Sequence, residues 1–334
     1  MSNKTCMIIP YYGSLPVYFR LFADSCSFNK QIDFIFFTDI PRPDDISENI
    51  IFNYLSFRDL KHLIEKKTQV FCGMEKPYKI CDYRPAFGLI FEDYISQYEF
   101  WGHCDIDIIL GNVSTFIDEP LLRNYDIISC RKYWLSGSFA LRRNIPEVNS
   151  LFRNSKDYKK VFESPNSFAF DEAGKLLSED GSNKNSIYVM LEEGRSIHSI
   201  ETTIEGFTHL IKQTDSKLRV FMETFLVEYI WPGMVLRYCD GHISVFEPGK
   251  STFTKGKEFL HYHLVHQKHA KAFTYPSWEK APRIFYITQS GFYTEEEMKR
   301  FTVLHFFRKF QGSFKYVAEK AKMLFNIMIS QTVS

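Results

Sequence analysis

Neither sign of charge is in excess: Lys and Arg number 41, Asp and Glu 40, and the formal net charge is +1. The chain therefore lacks a global electrostatic driver for nucleic acid, and no nucleic-acid partner is expected. Cysteine is scarce and scattered, seven residues without a single CxxC pair, which excludes a zinc-finger spacing and a disulfide framework. A reducing, cytoplasmic setting fits that pattern. Long hydrophobic runs are missing too, and none approaches the ~18 residues that span a bilayer. The first residues run straight into a strand-like segment, without the basic start, apolar stretch and small-residue cleavage site of a secretory leader. No internal repeat is visible.

What is present is ample core material. The 334 residues are 45% hydrophobic and 17% aromatic, enough for one large domain or two closely joined ones. Strands are expected over 5–10 (TCMIIP), 32–38 (IDFIFFT) and 50–55. Helical spacing runs from Leu15 through Tyr18, Phe19 and Phe22 to Cys26. Ser56 is a suitable N-cap for a helix to about Phe71, with Leu60, Leu63, Ile64 and Phe71 on one side. Pro85 suits a first helical turn. Further strands are expected over 100–104 and 126–130. This alternation predicts a parallel sheet with crossover helices, whose ligands sit at the carboxyl ends of strands. Tyr11, Asp39 and Asp105 all fall at such ends. Residues from about 150 to 200 are polar and weakly periodic, and read as an irregular excursion over the core. The pattern hardens again after Phe225.

Asp105 and Asp107, in EFWGHCDIDIILGNV, are the most informative pair in the chain. At period two on a strand they would share one face. Two acids held together within an apolar run are costly unless a cation neutralises them, and oxygen ligands suit Mn²⁺ or Mg²⁺.

With its WGHC leader, the pair resembles the DxD motif of glycosyltransferases of the GT-A fold. More narrowly, the chain resembles a poorly characterised bacterial family of polysaccharide-type glycosyltransferases, of the capsule or lipopolysaccharide O-antigen kind. The matching segments are MIIPYYG at 7–13, FIFFTD at 34–39, KPYKICDYRPAFG at 76–88, WGHCDIDIILGN at 101–112 and SGSFALRRN at 136–144. Thinner matches follow at Phe170-Asp171-Glu172 and at Tyr262-His263-Leu264 near Gln267-Lys268.

The resemblance implies an α/β fold of GT-A type, a Rossmann-like mixed and mostly parallel sheet flanked by helices. It implies a nucleotide-sugar-binding half at 1–135, an acceptor-binding and metal-completing half at 136–275, and a C-terminal extension at 276–334. Pro10, Tyr11 and Tyr12 would meet the base and ribose of a nucleotide-sugar donor, with Asp39 at the next strand end. Lys79, Asp82 and Arg84 would face the diphosphate, and Lys268 would neutralise it as it leaves. Ser136, Gly137 and Ser138 would lie at the donor sugar and acceptor. Asp171 and Glu172 are candidates for the catalytic base or for the sugar hydroxyls. His263 would complete the metal site with Asp105 and Asp107, although His261, His266 and His269 lie close by in sequence and the choice among the four stays open. Core packing for the tyrosines, a local ion pair for the 79–84 charges and an ordinary turn at 136–138 are the competing structural readings.

The expected activity is metal-dependent transfer of a sugar, from a UDP-sugar by preference, to a glycan or lipid-linked glycan. By analogy with its late histidine, retention of anomeric configuration is slightly favoured over inversion. Residues 299–328 are basic and amphipathic, suited either to the cytoplasmic face of the inner membrane or to packing on the enzyme itself. Two rivals remain open. A phosphatase of haloacid-dehalogenase type also carries DxD, but at the end of its first strand. A non-catalytic glycan-binding protein could keep the same fold.

Overall fold

The computed structural model of the chain describes residues 4–177, 186–213, 217–246 and 257–300. It opens with β1 (Thr5–Pro10), α1 (Phe19–Cys26), β2 (Ile32–Thr38), β3 (Ile50–Tyr54) and α2 (Phe57–Thr68). Then come β4 (Phe100–Cys104), β5 (Ile108–Leu110), β6 (Ile127–Ser129), β7 (Phe139–Arg143) and β8 (Val220–Met222). Seven of these strands make the central sheet, in the order β3-β2-β1-β4-β7-β6-β8. Only β7 runs against the others, pairing antiparallel with both β4 and β6. The architecture is thus mixed α/β, with a mostly parallel sheet flanked by helices.

The sheet is covered on both faces, which explains why its central strands are apolar without alternation. From β1, Cys6 and Ile8 point into the cluster that holds Leu60 and Ile64 of α2. Met7 and Ile9 point the other way, onto Phe22 and Cys26 of α1.

Boundaries differ from the periodicity where local chemistry intervenes. Pro16 keeps Leu15 out of α1, and its carbonyl instead accepts from Phe19 N at 2.9 Å. Ser56 caps α2 as expected, accepting from Asp59 N at 3.1 Å. The helix stops at Thr68 because Gln69 adopts the left-handed conformation, φ 58°. Phe71, expected on the buried stripe, is consequently 65% exposed. Pro85 lies within a 3₁₀-helix, Pro77–Ala86, that leads into a one-turn α-helix at Phe87–Ile90. The 150–200 excursion carries short helices at Tyr158–Glu163 and Ser186–Glu192, and buries Val161, Phe162, Phe170 and Leu191.

Two smaller sheets complete the chain. Their strands are β9 (Leu226–Val227), β10 (Val235–Cys239), β11 (His242–Phe246), β12 (Glu258–Phe259), β13 (His261–His263), β14 (Ile284–Thr288) and β15 (Gly291–Thr294). One sheet is antiparallel, in the order β12-β11-β10-β14-β15; the other, β5-β13-β9, runs from just past the Asp pair. Because β10 pairs with β14, the expected boundary at 275 cuts through a sheet. The expected basic helix lies outside the described residues from 301 onward. Among the described residues, no helix is long and apolar enough to cross a membrane.

Candidate metal centre and active site

β4 covers Phe100–Cys104, as expected, and delivers Asp105 and Asp107 into the turn before β5 begins at Ile108, so the two acids do not share a strand face. They still converge, because β13 aligns antiparallel with β5 and sets His263 opposite Ile108. Leu264 N donates to Asp107 O at 2.8 Å and fixes that register beside the acid. Asp105 N donates to Ser138 O at 3.1 Å on the other flank.

His263 Nε2 lies 3.7 Å from Asp105 Oδ2 and 3.5 Å from Asp107 Oδ1. One ligand atom from each of the three residues falls within 4.8 Å of the others. The outer oxygens of the two acids are taken by cations: Arg84 Nη2 on Asp105 Oδ1, and Lys268 Nζ on Asp107 Oδ2 at 2.6 Å. The inner oxygens both face the imidazole. Nδ1 of His263 sits 2.9 Å from Glu228 Oε1, and Glu228 is paired in turn with Arg131.

This donor set fits a divalent cation. Two carboxylate oxygens and one imidazole nitrogen converge, and a carboxylate on the far ring nitrogen orients the ring. Without a cation, a proton does part of that work. Burial works against a charged His263, but its hydrogen bonds to Asp107 and Glu228, with the charge of Asp105, outweigh this and lift its pKa to about 9. Burial opposes the charge on Asp107 too, yet His263 and Lys268 hold that carboxyl well below its ordinary range.

Of the four nearby histidines, the structure singles out His263. His261 is fully buried, with Nε2 3.0 Å from Ser138 Oγ, while His266 and His269 are exposed.

Arg84 ties this cluster to a third acid. Its Nη1 donates to Asp171 Oδ2 at 2.9 Å and to Gly137 O at 2.8 Å. Among the described residues, Arg84 is the only group hydrogen-bonded to the Asp171 carboxylate. Burial raises the Asp171 pKa to about 7; Arg84 works against the rise, and Glu172 and Asp82 add to it. Glu172 is bonded through both oxygens: Oε1 accepts from Gly137 N at 2.9 Å and Oε2 from Tyr188 OH at 2.5 Å. It thereby clamps the turn. A Cβ at Gly137 would come within 2.9 Å of Glu172 Oε1, so any larger residue has to shift that carboxylate.

Several expected ligand contacts are instead spent inside the fold. Lys79 and Asp82 form a buried ion pair at 2.8 Å. Lys79 also donates to Val161 O at 2.7 Å, and Asp82 accepts from Phe168 N at 2.9 Å and Phe170 N at 2.8 Å. The pair pins the 160–170 segment and does not face a diphosphate. Ser136 and Ser138 are buried, with hydroxyls 3.1 Å apart, leaving only the Gly137 backbone at the site. Tyr12 packs edge-on against Phe57 in the core, ring centroids 5.2 Å apart. Tyr11, which follows Pro10 at the end of β1, stays half-buried and within reach of the Asp107 charge. Asp39 is exposed at the end of β2, where its charge bears on Tyr12.

Residues 7–296 match the model of a family of unknown function, DUF6625. The chain belongs to that family. No curated protein matches it. The span covers every residue of the cluster, from Tyr11 to Lys268.

Sequence reasoning missed three groups of this DUF6625 site. Glu228 and Arg131 orient His263, yet each lies in a stretch without a motif. Tyr188, which holds Glu172, sits in the polar excursion. Arg142 is fully buried with Nη1 2.9 Å from His103 Nδ1, and His103 Nε2 is 3.1 Å from Ser136 O, which braces the same turn from behind. Only the RR pair after SGSFAL hinted at Arg142, and spacing alone could not tell an inward from an outward arginine.

Proposed function

We propose that this protein is a metal-dependent glycosyltransferase that moves a sugar from a nucleotide-diphosphate donor, by preference a UDP-sugar, to a glycan or lipid-linked glycan. The observation that supports this reading is the convergence of Asp105, Asp107 and His263 beside the carboxyl ends of β1 and β4, where ligands of such sheets bind. These three residues would hold Mn²⁺ or Mg²⁺. When bound, the ion supplies positive charge against the diphosphate as it departs.

The chain's own residues supply the rest. Lys268 and Arg84 stand beside the two acids as fixed positive charges that phosphate oxygens can share. Half-buried Tyr11 offers a ring at the donor side. Asp171, with its pKa raised to about 7, is suited to take the proton from an acceptor hydroxyl. Glu172 holds the Gly137 turn in place around it.

The test is a thermal-shift screen of nucleotide sugars with and without Mn²⁺. A UDP-sugar should stabilise the wild type only when metal is present, and Asp107→Ala should abolish the effect. Equal stabilisation of both proteins would refute the reading. Asp171→Asn then separates the two stereochemical courses: an inverting transfer loses most of its rate without that base, and a retaining one does not.

A further inference from the structure

The 3₁₀-helix Pro77–Ala86 has three residues per turn, so side chains three apart share a face. One face, Lys79, Asp82 and Pro85, is buried. The next runs from exposed Tyr78 through partly buried Cys81 to partly buried Arg84, which lies between Asp105 and Asp171. Tyr78 stands on that face on the order of 12 Å from Arg84 along the axis. Its side chain is 76% exposed, although it is a large ring on a segment with an otherwise well-filled interior. The segment is rigid, because the neighbouring Lys79 is held by Asp82 at 2.8 Å and by carbonyls of the 160–170 stretch. Cys81 acts most strongly on the Tyr78 hydroxyl, followed by burial and then by the charges of Asp171 and Asp105, and Tyr78 in turn bears on Lys268. An exposed ring is thus carried by a well-anchored backbone on the helix face that leads to Arg84.

We propose that Tyr78 is a stacking platform for a pyranose ring of the acceptor glycan. This rests on the transferase reading above and names a subsite within it. A pyranose has one face of C–H groups that covers an aromatic ring, and an edge of hydroxyls that seeks polar partners. Tyr78 offers the ring. Arg84 closes the same helix face and holds Asp171 at 2.9 Å, polar groups towards which the hydroxyls of the glycan beyond that ring would point. Tyr11, at the end of β1, is the ring assigned above to the donor base. A residue as exposed as Tyr78 carries little of the fold, so its replacement is a clean probe.

Saturation-transfer NMR with methyl glycosides of glucose, galactose, mannose, N-acetylglucosamine and rhamnose, in the presence of UDP and Mn²⁺, tests this. At least one glycoside should receive saturation at its ring protons from the wild type and from Tyr78→Phe. Its affinity should fall about fivefold or more in Tyr78→Ala. Metal-dependent UDP binding, followed by thermal shift in the same three proteins, should stay unchanged. Equal glycoside signals in Tyr78→Ala, or none from the wild type, would overturn the proposal while leaving the donor site standing. A loss of UDP affinity in Tyr78→Ala would also overturn it, by making the ring a base platform. Absence of any metal-dependent UDP response in the wild type would instead remove the transferase reading itself.

Discussion

Glu228 holds His263 from behind: 2.9 Å separates Glu228 Oε1 from Nδ1, and this turns Nε2 towards Asp105 and Asp107. The carboxylate itself is anchored by Arg131, whose guanidinium lies 4.7 Å over the Trp134 ring. A ring nitrogen oriented in this way is a better metal ligand than one that can rotate.

Glu228→Gln should therefore weaken Mn²⁺ binding about tenfold while the fold survives. Titration of free Mn²⁺ by electron paramagnetic resonance reads the affinity directly. An unchanged affinity would mean that His263 needs no such support.

Lys79→Met should destabilise the protein by about 3–5 kcal/mol, because it strands the buried Asp82 charge. Adding Asp82→Asn should restore part of the loss, since no charge is then left and one amide oxygen still accepts from a backbone N–H. Urea unfolding of the single and double variants checks the order. The folded double variant should bind UDP and Mn²⁺ as the wild type does, because the pair serves the fold and not the diphosphate.

That pair shows how far sequence reached and where it stopped. The strand order of types, the Ser56 cap and the Asp pair with its apolar neighbours were legible, because each rests on local chemistry. The segment KPYKICDYR showed that charges sat within an apolar run, but not which of them faced inward. A 3₁₀ period of three sends Lys79 and Asp82 into the core and Arg84 to Asp105 and Asp171. A sequence of ten residues cannot distinguish that period from an α-helical one. Glu228 and Tyr188 were invisible for another reason. Each acts through a contact made only after distant strands and loops have packed, with 35 residues between His263 and Glu228 and 16 between Tyr188 and Glu172. The Asp pair stood out as two acids at the end of an apolar run; the shared strand face does not form, and the pairing of β5 with β13 brings His263 to them instead.

Asp171 gives the stability a pH dependence. Its folded pKa, pushed up to about 7 by burial, lies above the ~3.9 of an unfolded aspartate. The folded state thus binds the proton more tightly, and the stabilisation is complete below about pH 4 and lost as pH rises through 7. Asp171→Asn cannot titrate, so the fall in stability between pH 4 and 7 should be shallower than in the wild type. Urea midpoints across that range decide it, and parallel profiles would contradict the assignment.

Gly137→Ala should separate positioning from folding. The added methyl would press on Glu172 Oε1, a side-chain end that can move, so the stability cost should be small, about 1 kcal/mol. Moving that carboxylate frees Gly137 N and loosens the turn that Arg84 reads. Transfer should drop far more than stability, and product formation set beside the melting temperature would show the split.

Anomalous diffraction at the manganese edge, from crystals soaked in Mn²⁺ and UDP, bears most directly on the account. It predicts one strong peak within bonding distance of Asp105, Asp107 and His263 Nε2, with diphosphate oxygens on its open side. A peak elsewhere, or none while those three side chains keep their present contacts, would contradict it.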